Sequence, residues 1–179
     1  IWLDFIKLEL NLKEYQGYIF DVGANDGADG LALALNNKKN FVHAFEANPY
    51  LIKKIKFLKK KIESRKGVII KNYKVHSCAV SNKKTNAVFN ISINNKVSSL
   101  NKLSKNLNKK WPGYEKSIFK VIKKIKVKVI NLNDFMKDNG IKEIRYLHID
   151  TQGNDLNVLK GLKSKINKIQ EGKMEAAIN

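Results

Sequence analysis

The sequence predicts an α/β protein built on one mainly parallel, doubly wound sheet, and two observations carry that prediction. Short apolar runs alternate with helical patterns along the chain, the signature of parallel strands joined by right-handed helical crossovers. The first such run, Tyr18-Ile-Phe-Asp-Val22, stops at Gly23-Ala-Asn-Asp-Gly27 and passes straight into Ala28-Asp-Gly-Leu-Ala-Leu-Ala-Leu35. This reads as strand, tight turn, helix. The strand has the β-branched, aromatic and apolar residues of one buried on both faces. The two glycines give the turn backbone freedom and a bare surface, and the helix entered near Asp26 to Ala28 aims its free N–H groups at whatever the turn holds.

The remaining elements follow in order. Asn40 to Ala47 reads as a second strand, and Pro49 then opens a helix at the position where a missing N–H costs nothing. Leu51, Ile52, Ile55, Leu58 and Ile62 form that helix's apolar face, and lysines coat the other. Val75 to Val80 is expected as the third sheet member, after a lead-in at Val68 to Ile70. Thr85 to Ile93 alternates apolar and polar residues, as a half-exposed strand outside the parallel core does. Asn94 to Tyr114 is polar and reads as a long loop with a short helix, a length uncommon in compact domains without a role. Ile125 to Ile130 is a strand, Leu132 to Asn139 a short helix stopped at Gly140, and Ile144 to Asp150 a buried strand. Thr151-Gln-Gly-Asn-Asp155 leads into a helix over Leu156 to Leu162, and Met174 to Ile178 begins one more strand, giving a sheet order of 3-2-1-4-5.

A chain of 179 residues with 43% hydrophobic content fits one domain with a real core. Residues 1–16 read as a helical lead-in and 17–179 as the domain. The single Cys78 excludes an internal disulfide and suits a reducing compartment, so a cytoplasmic setting is expected. No apolar run is long enough to span a membrane. The formal charge of +19 is almost all lysine, with only Arg65 and Arg145 as arginine. Arginine is the residue suited to phosphate and base recognition, which argues against a specific nucleic-acid partner and leaves weak attraction to anionic substrates or membranes. The chain starts at Ile1 and stops inside an apparent strand, so a fragment is expected.

Parallel α/β sheets bind ligands at the carboxyl ends of their strands, and three acids fall there: Asp21, Glu46 and Asp150. Glu46 ends the second strand, where a carboxylate accepts hydrogen bonds from both ribose hydroxyls of a nucleoside cofactor. Gly23-x-Asn25-x-Gly27 departs from the dinucleotide fingerprint, although Gly30 stands three places beyond it. A side chain at Asn25 crowds a pyrophosphate yet can bond an amino-acid carboxylate or amine. Asp21, likewise, favours a cationic amine and sulfonium over phosphates. The electrostatics favour S-adenosylmethionine, with a nicotinamide dinucleotide as the alternative.

Asp21-Val-Gly-Ala-Asn-Asp-Gly27, Phe45-Glu-Ala-Asn-Pro49, Ser98-Ser-Leu100, Val129-Ile-Asn-Leu-Asn-Asp-Phe135 and Ile149-Asp-Thr-Gln-Gly-Asn-Asp-Leu-Asn-Val-Leu-Lys-Gly161 together resemble the FkbM-type S-adenosylmethionine-dependent methyltransferases. The resemblance runs from about residue 17 to the end. It implies a Rossmann-like class I methyltransferase fold and methyl transfer to a hydroxyl of a sugar, glycan or other small metabolite. It carries the cofactor-binding role to Asp21, Gly23, Asn25, Gly27 and Glu46, and the fourth-strand acid to Asp150. It also implies further strands that complete the sheet beyond Asn179. Where the family pattern expects lysine, the chain has His148.

Asp150 is the candidate substrate-orienting residue or base, and His148, two residues earlier on the same strand face, the second candidate. Ser98 and Ser99 are candidate substrate contacts on a loop above the strand ends. Trp111 and Tyr114 are candidates for stacking on a sugar, His43 reads as structural, and no metal site is expected. The rival readings are a nicotinamide-dependent oxidoreductase and a non-catalytic module for anionic ligands.

Overall fold

A computed structural model describes residues 15–101, 117 and 120–174. Strands β1 (Gly17–Val22), β2 (Asn40–Glu46), β3 (Tyr73–Ser77), β7 (Ile144–Ile149) and β8 (Ile169–Met174) form a five-stranded parallel sheet in the order β3-β2-β1-β7-β8. This is the expected doubly wound order, with β7 and β8 as its fourth and fifth members. A second sheet holds β4 (Ala79–Val80), β6 (Val121–Ile130) and β5 (Thr85–Ser92), with β5 and β6 antiparallel.

Helices α1 (Ala28–Asn36), α2 (Pro49–Lys66), α3 (Leu132–Asp138) and α4 (Asp155–Lys160) are placed by the sequence logic given above. Asn48 caps α2 by accepting the Tyr50 N–H at 3.0 Å, Pro49 fills the first turn, and Gly67 ends the helix in the left-handed region. The alternation of β1 sends Ile19 to one face of the sheet and Phe20 and Val22 to the other. Ile19, Val42, Ala44 and Tyr73 pack with Leu31, Leu33, Ile55 and Ile62 of α1 and α2. Phe20, Val22, Phe45, Leu147 and Ile149 pack with Leu132, Met136 and Val158 of α3 and α4. A smaller core of Ala79, Phe89, Ile91, Val127 and Val129 supports the second sheet.

Three boundaries differ from expectation. The third sheet member is Tyr73–Ser77, and the chain then leaves the large sheet at Cys78, so Ala79–Val80 pairs with β6 instead. The fifth strand runs over Ile169–Met174, ahead of the expected 174–178, because Gln170, Glu171 and Lys173 of this edge strand hide its pattern. Strand β6 starts at Val121, four residues early, its exposed lysines interrupting the alternation. The long loop contains a 3₁₀ turn at Asn95–Val97. Trp111, Tyr114, residues 1–14 of the lead-in and residues 175–178 lie outside the described residues. Tyr15 is held by stacking on Tyr146 at 4.9 Å and by donating to Glu171 at 3.1 Å.

His43 and His76, diagonal neighbours on β2 and β3 (His76 lies opposite Phe45 in the register), join Nδ1 to Nε2 at 2.9 Å inside an aromatic stack with Phe45 and Phe135. One ring must donate and the other accept, so the bond requires a neutral partner. Burial pulls both imidazoles down to about 4, helped for His43 by the His76 charge and for His76 by Lys74. Below the ordinary value of 6.5 the unfolded chain takes up protons that the folded pair refuses. The pair's contribution is therefore complete above that pH and lost as pH falls toward 4. Other groups titrate in this window, so the readout is a difference in urea midpoint between the chain and its His43→Phe, His76→Phe variant. We expect the wild type to lose about 2 kcal/mol more than the variant between neutral pH and the low end of the window.

Candidate active site

The carboxyl ends of β1, β2 and β7 lie side by side, which brings three separate turns together. Val22 hands the chain to Gly23, whose N–H and that of Ala24 both donate to the Phe45 carbonyl, at 2.9 and 3.1 Å. Asp150 N–H donates to the Val22 carbonyl at 2.9 Å. The Asp150 carbonyl then lies so close that a Cβ built on Gly23 would fall 1.8 Å from its oxygen. Gly23 has φ +85° and Gly27 φ +77°, and a Cβ on Gly27 would meet the Tyr73 hydroxyl at 2.8 Å. Asn25 between them also lies in the left-handed region, at φ 52°, which asparagine tolerates. Asp26 accepts the Ala28 N–H at 3.1 Å across Gly27, the N-cap residue of α1.

Glu46 is the centre of this arrangement. It is 6% exposed, and its two oxygens hold two different turns: Oε2 accepts the Asn25 N–H at 2.8 Å and Oε1 the Asn48 N–H at 2.7 Å. Burial raises its pKa to about 7, against the opposing effect of backbone hydrogen bonds from Asn48, Asn25 and Ala47. Each carboxylate oxygen retains acceptor capacity beyond its one N–H. Sequence reading gave Glu46 a ligand role and missed the fastening of both turns, because both donors are backbone groups.

Asp21 is buried to 2% on the α1 side of the sheet. Its Oδ1 pairs with His148 Nδ1 at 3.0 Å, as their register across β1 and β7 dictates. Asp21 Oδ2 and the Tyr73 hydroxyl are buried with no hydrogen-bond partner among the described residues. Burial lowers the His148 pKa, but the hydrogen bond and charge of Asp21, with Asp29 and Asp150, more than offset it, and the net direction is up. His148 is thus committed at Nδ1 to the acid of the glycine turn.

Asp150 is half-buried, and its Oδ1 accepts from Gln152 Nε2 at 2.5 Å. Asp155 braces the loop by accepting the Thr151 N–H at 2.9 Å and the Gly153 N–H at 3.1 Å. The two candidate serines are both buried and both bonded inside the protein. Ser98 Oγ accepts the Ser92 N–H at 3.1 Å, and Ser99 Oγ shares its hydrogen between the carbonyls of Gln152 at 3.0 Å and Thr151 at 3.2 Å. Ser99 therefore fastens the second sheet's hairpin to the loop that follows Asp150. No sequence signal distinguishes such a clasp from a substrate contact.

The electrostatics of the turn decide what it suits. In a chain with 35 basic residues, residues 17–37 contain Asp21, Asp26 and Asp29 and no lysine or arginine. A pyrophosphate there meets three aspartates and no lysine or arginine from this segment, whereas a ligand with an ammonium and a sulfonium is attracted. Among the described residues no cluster of three His, Cys, Asp or Glu is placed to hold a metal ion.

A family model of the methyltransferase FkbM domain matches residues 21–175, from the acid of β1 to the end of β8. The chain belongs to the FkbM methyltransferase family. S-adenosylmethionine is the cofactor that this membership implies, and the acidic glycine turn with a strand-end carboxylate beside it fits that cofactor. Among solved structures, methyltransferase FkbM from Methylobacillus flagellatus KT superposes with a TM-score of 0.53 over 87% of this chain, at 14% identity. This chain covers 32% of that one, so it spans about a third of its solved relative. The precorrin-6y C5,15-methyltransferase of Geobacter metallireducens GS-15 matches at a TM-score of 0.39 and 10% identity, over 92% of this chain and 55% of that one. Among curated proteins no match is found. At 14% identity the Methylobacillus structure bears on the fold alone.

Proposed function

We propose that the protein is an S-adenosylmethionine-dependent methyltransferase that methylates a hydroxyl oxygen of a sugar, glycan or other small metabolite. The observation that carries this reading is Glu46, a strand-end carboxylate that fastens both turns of a glycine-lined site whose first turn, within residues 17–37, has three aspartates and no lysine or arginine. When bound, S-adenosylmethionine supplies a methyl carbon activated by its sulfonium. The chain's work is then alignment, since in-line displacement gains most from holding nucleophile and carbon in register. Gly23, Asn25 and Gly27 would hold its amino-acid end, Asp21 would supply negative charge toward its ammonium, and Glu46 would accept from its ribose hydroxyls. Asp150 orients the acceptor and removes its proton. His148 holds Asp21 in place, and Ser98 and Ser99 serve the acceptor through the loops they fasten. The family assignment displaces the oxidoreductase reading, and the acceptor's class rests on the resemblance.

The test is calorimetric titration with S-adenosylhomocysteine. Ribose hydroxyls donate to the ionised form of Glu46, so binding favours deprotonation, and affinity rises with pH through the free group's value near 7. We expect about a tenfold gain from one pH unit below that value to one above it. Glu46→Gln should flatten this dependence, and Glu46→Ala should weaken binding by about 1.5 to 3 kcal/mol above it. Unchanged affinity in both variants would remove Glu46 from the cofactor site.

A further inference from the structure

Along the sequence, one stretch carries a large share of the net charge. Residues 81–133 contain thirteen lysines against the single Glu115, and the β5–β6 hairpin belongs to this stretch. Neither strand contains an acid. The alternation of β6 places Lys124, Lys126 and Lys128 on the face opposite Val127 and Val129, Ile122 stands at the bulge just before them, and the antiparallel register sets Val88 opposite Lys126 and Asn86 opposite Lys128. All of these side chains are exposed, including Val88 at 54% and Ile122 at 60%. Lysines two apart on a strand recur about every 7 Å along one side. Among the described residues no carboxylate pairs with any of the three.

We infer that this face of the hairpin docks on an anionic lipid surface, its lysines against the headgroups and Val88 and Ile122 in shallow contact with the acyl boundary. Three features favour lipid over other polyanions. The face has no arginine for bidentate phosphate or base recognition. Among the described residues it has no aromatic ring on which a base or a sugar could stack. It does have two exposed branched aliphatic residues among its cations, the combination that peripheral membrane contacts use. Ser99 and Asn101 tie this hairpin to the loop after Asp150, so docking would hold the acceptor side of the site near the surface. The inference stands independently of methyl transfer.

The experiment is co-sedimentation of the intact chain with vesicles of phosphatidylcholine and phosphatidylglycerol, beside pure phosphatidylcholine, at low and physiological salt. Binding to the anionic vesicles alone, weakened by salt, is expected. The variant K124Q, K126Q, K128Q should lose about a hundredfold in affinity. The variant V88S, I122S should bind more weakly while keeping its salt response. The control K53Q, K54Q, K56Q on α2 should bind within a few-fold of wild type. The inference is overturned if the β6 variant binds as the wild type does, if the α2 control loses as much, or if duplex DNA at equal phosphate displaces the chain from the vesicles.

Discussion

Gly23→Ala should leave little folded protein. The Cβ it adds would lie 1.8 Å from the Asp150 carbonyl oxygen, and that atom is fixed because Asp150 N–H is bonded to the Val22 carbonyl. The new methyl cannot be accommodated by a side-chain rotation, since the obstacle is backbone. Relief requires parting β1 from the loop after β7, breaking the alignment of the strand ends that make the site. The positive φ adds a further penalty for any residue with a Cβ. Together these should cost about 3 kcal/mol or more, a large part of a typical domain's stability. Denaturant unfolding of the variant beside wild type checks this, with Gly67→Ala as a comparison. Gly67 also has positive φ, at +61°, but its Cβ would meet nothing within 4 Å, so that variant should lose only the conformational share. Equal destabilisation of the two would show that backbone conformation, and not the approach of Asp150, governs the site's glycine.

Asp150→Asn should preserve the fold and S-adenosylhomocysteine affinity and lose most turnover. The amide is nearly isosteric with the carboxylate and keeps an oxygen to accept from Gln152, so the loop braced by Asp155 stays in place. What it lacks is the capacity to take the acceptor's proton. General-base roles are typically worth about a hundredfold to ten-thousandfold in rate. The check is kcat and cofactor affinity measured on the same preparations. Parallel loss of both would assign Asp150 to the cofactor pocket, and loss of neither would leave the proton to another group.

Much of this arrangement was legible in the residues. Tyr18 to Gly27 announces a buried strand, a turn and a helix because hydrophobic period and glycine placement agree. The acids at strand ends could be placed for the same reason, since the ends of β1, β2 and β7 are marked by where the apolar runs stop. What could not be read was pairing between distant segments. Cys78 interrupts Tyr73 to Val80 without any local signal, since the change of sheet is decided by competition between β2 and β6 for a partner. The His43–His76 bond exists only because parallel register brings residues 33 apart together. The Ser99 clasp and the two backbone donors to Glu46 are equally invisible, because backbone groups leave no trace in composition. His148 shows the limit most plainly: only the sheet order shows that Asp21 is its neighbour.

The central claim is that the cofactor lies across the turns that Glu46 joins. Amide hydrogen exchange of the chain with and without S-adenosylhomocysteine, resolved to short peptides, tests it most directly. The account predicts that protection rises over residues 21–28 and 45–50, where the Asn25 and Asn48 N–H groups meet Glu46, and that Glu46→Ala abolishes the change. Protection confined to the second sheet, or no protection at ligand concentrations that saturate calorimetric binding, would contradict it.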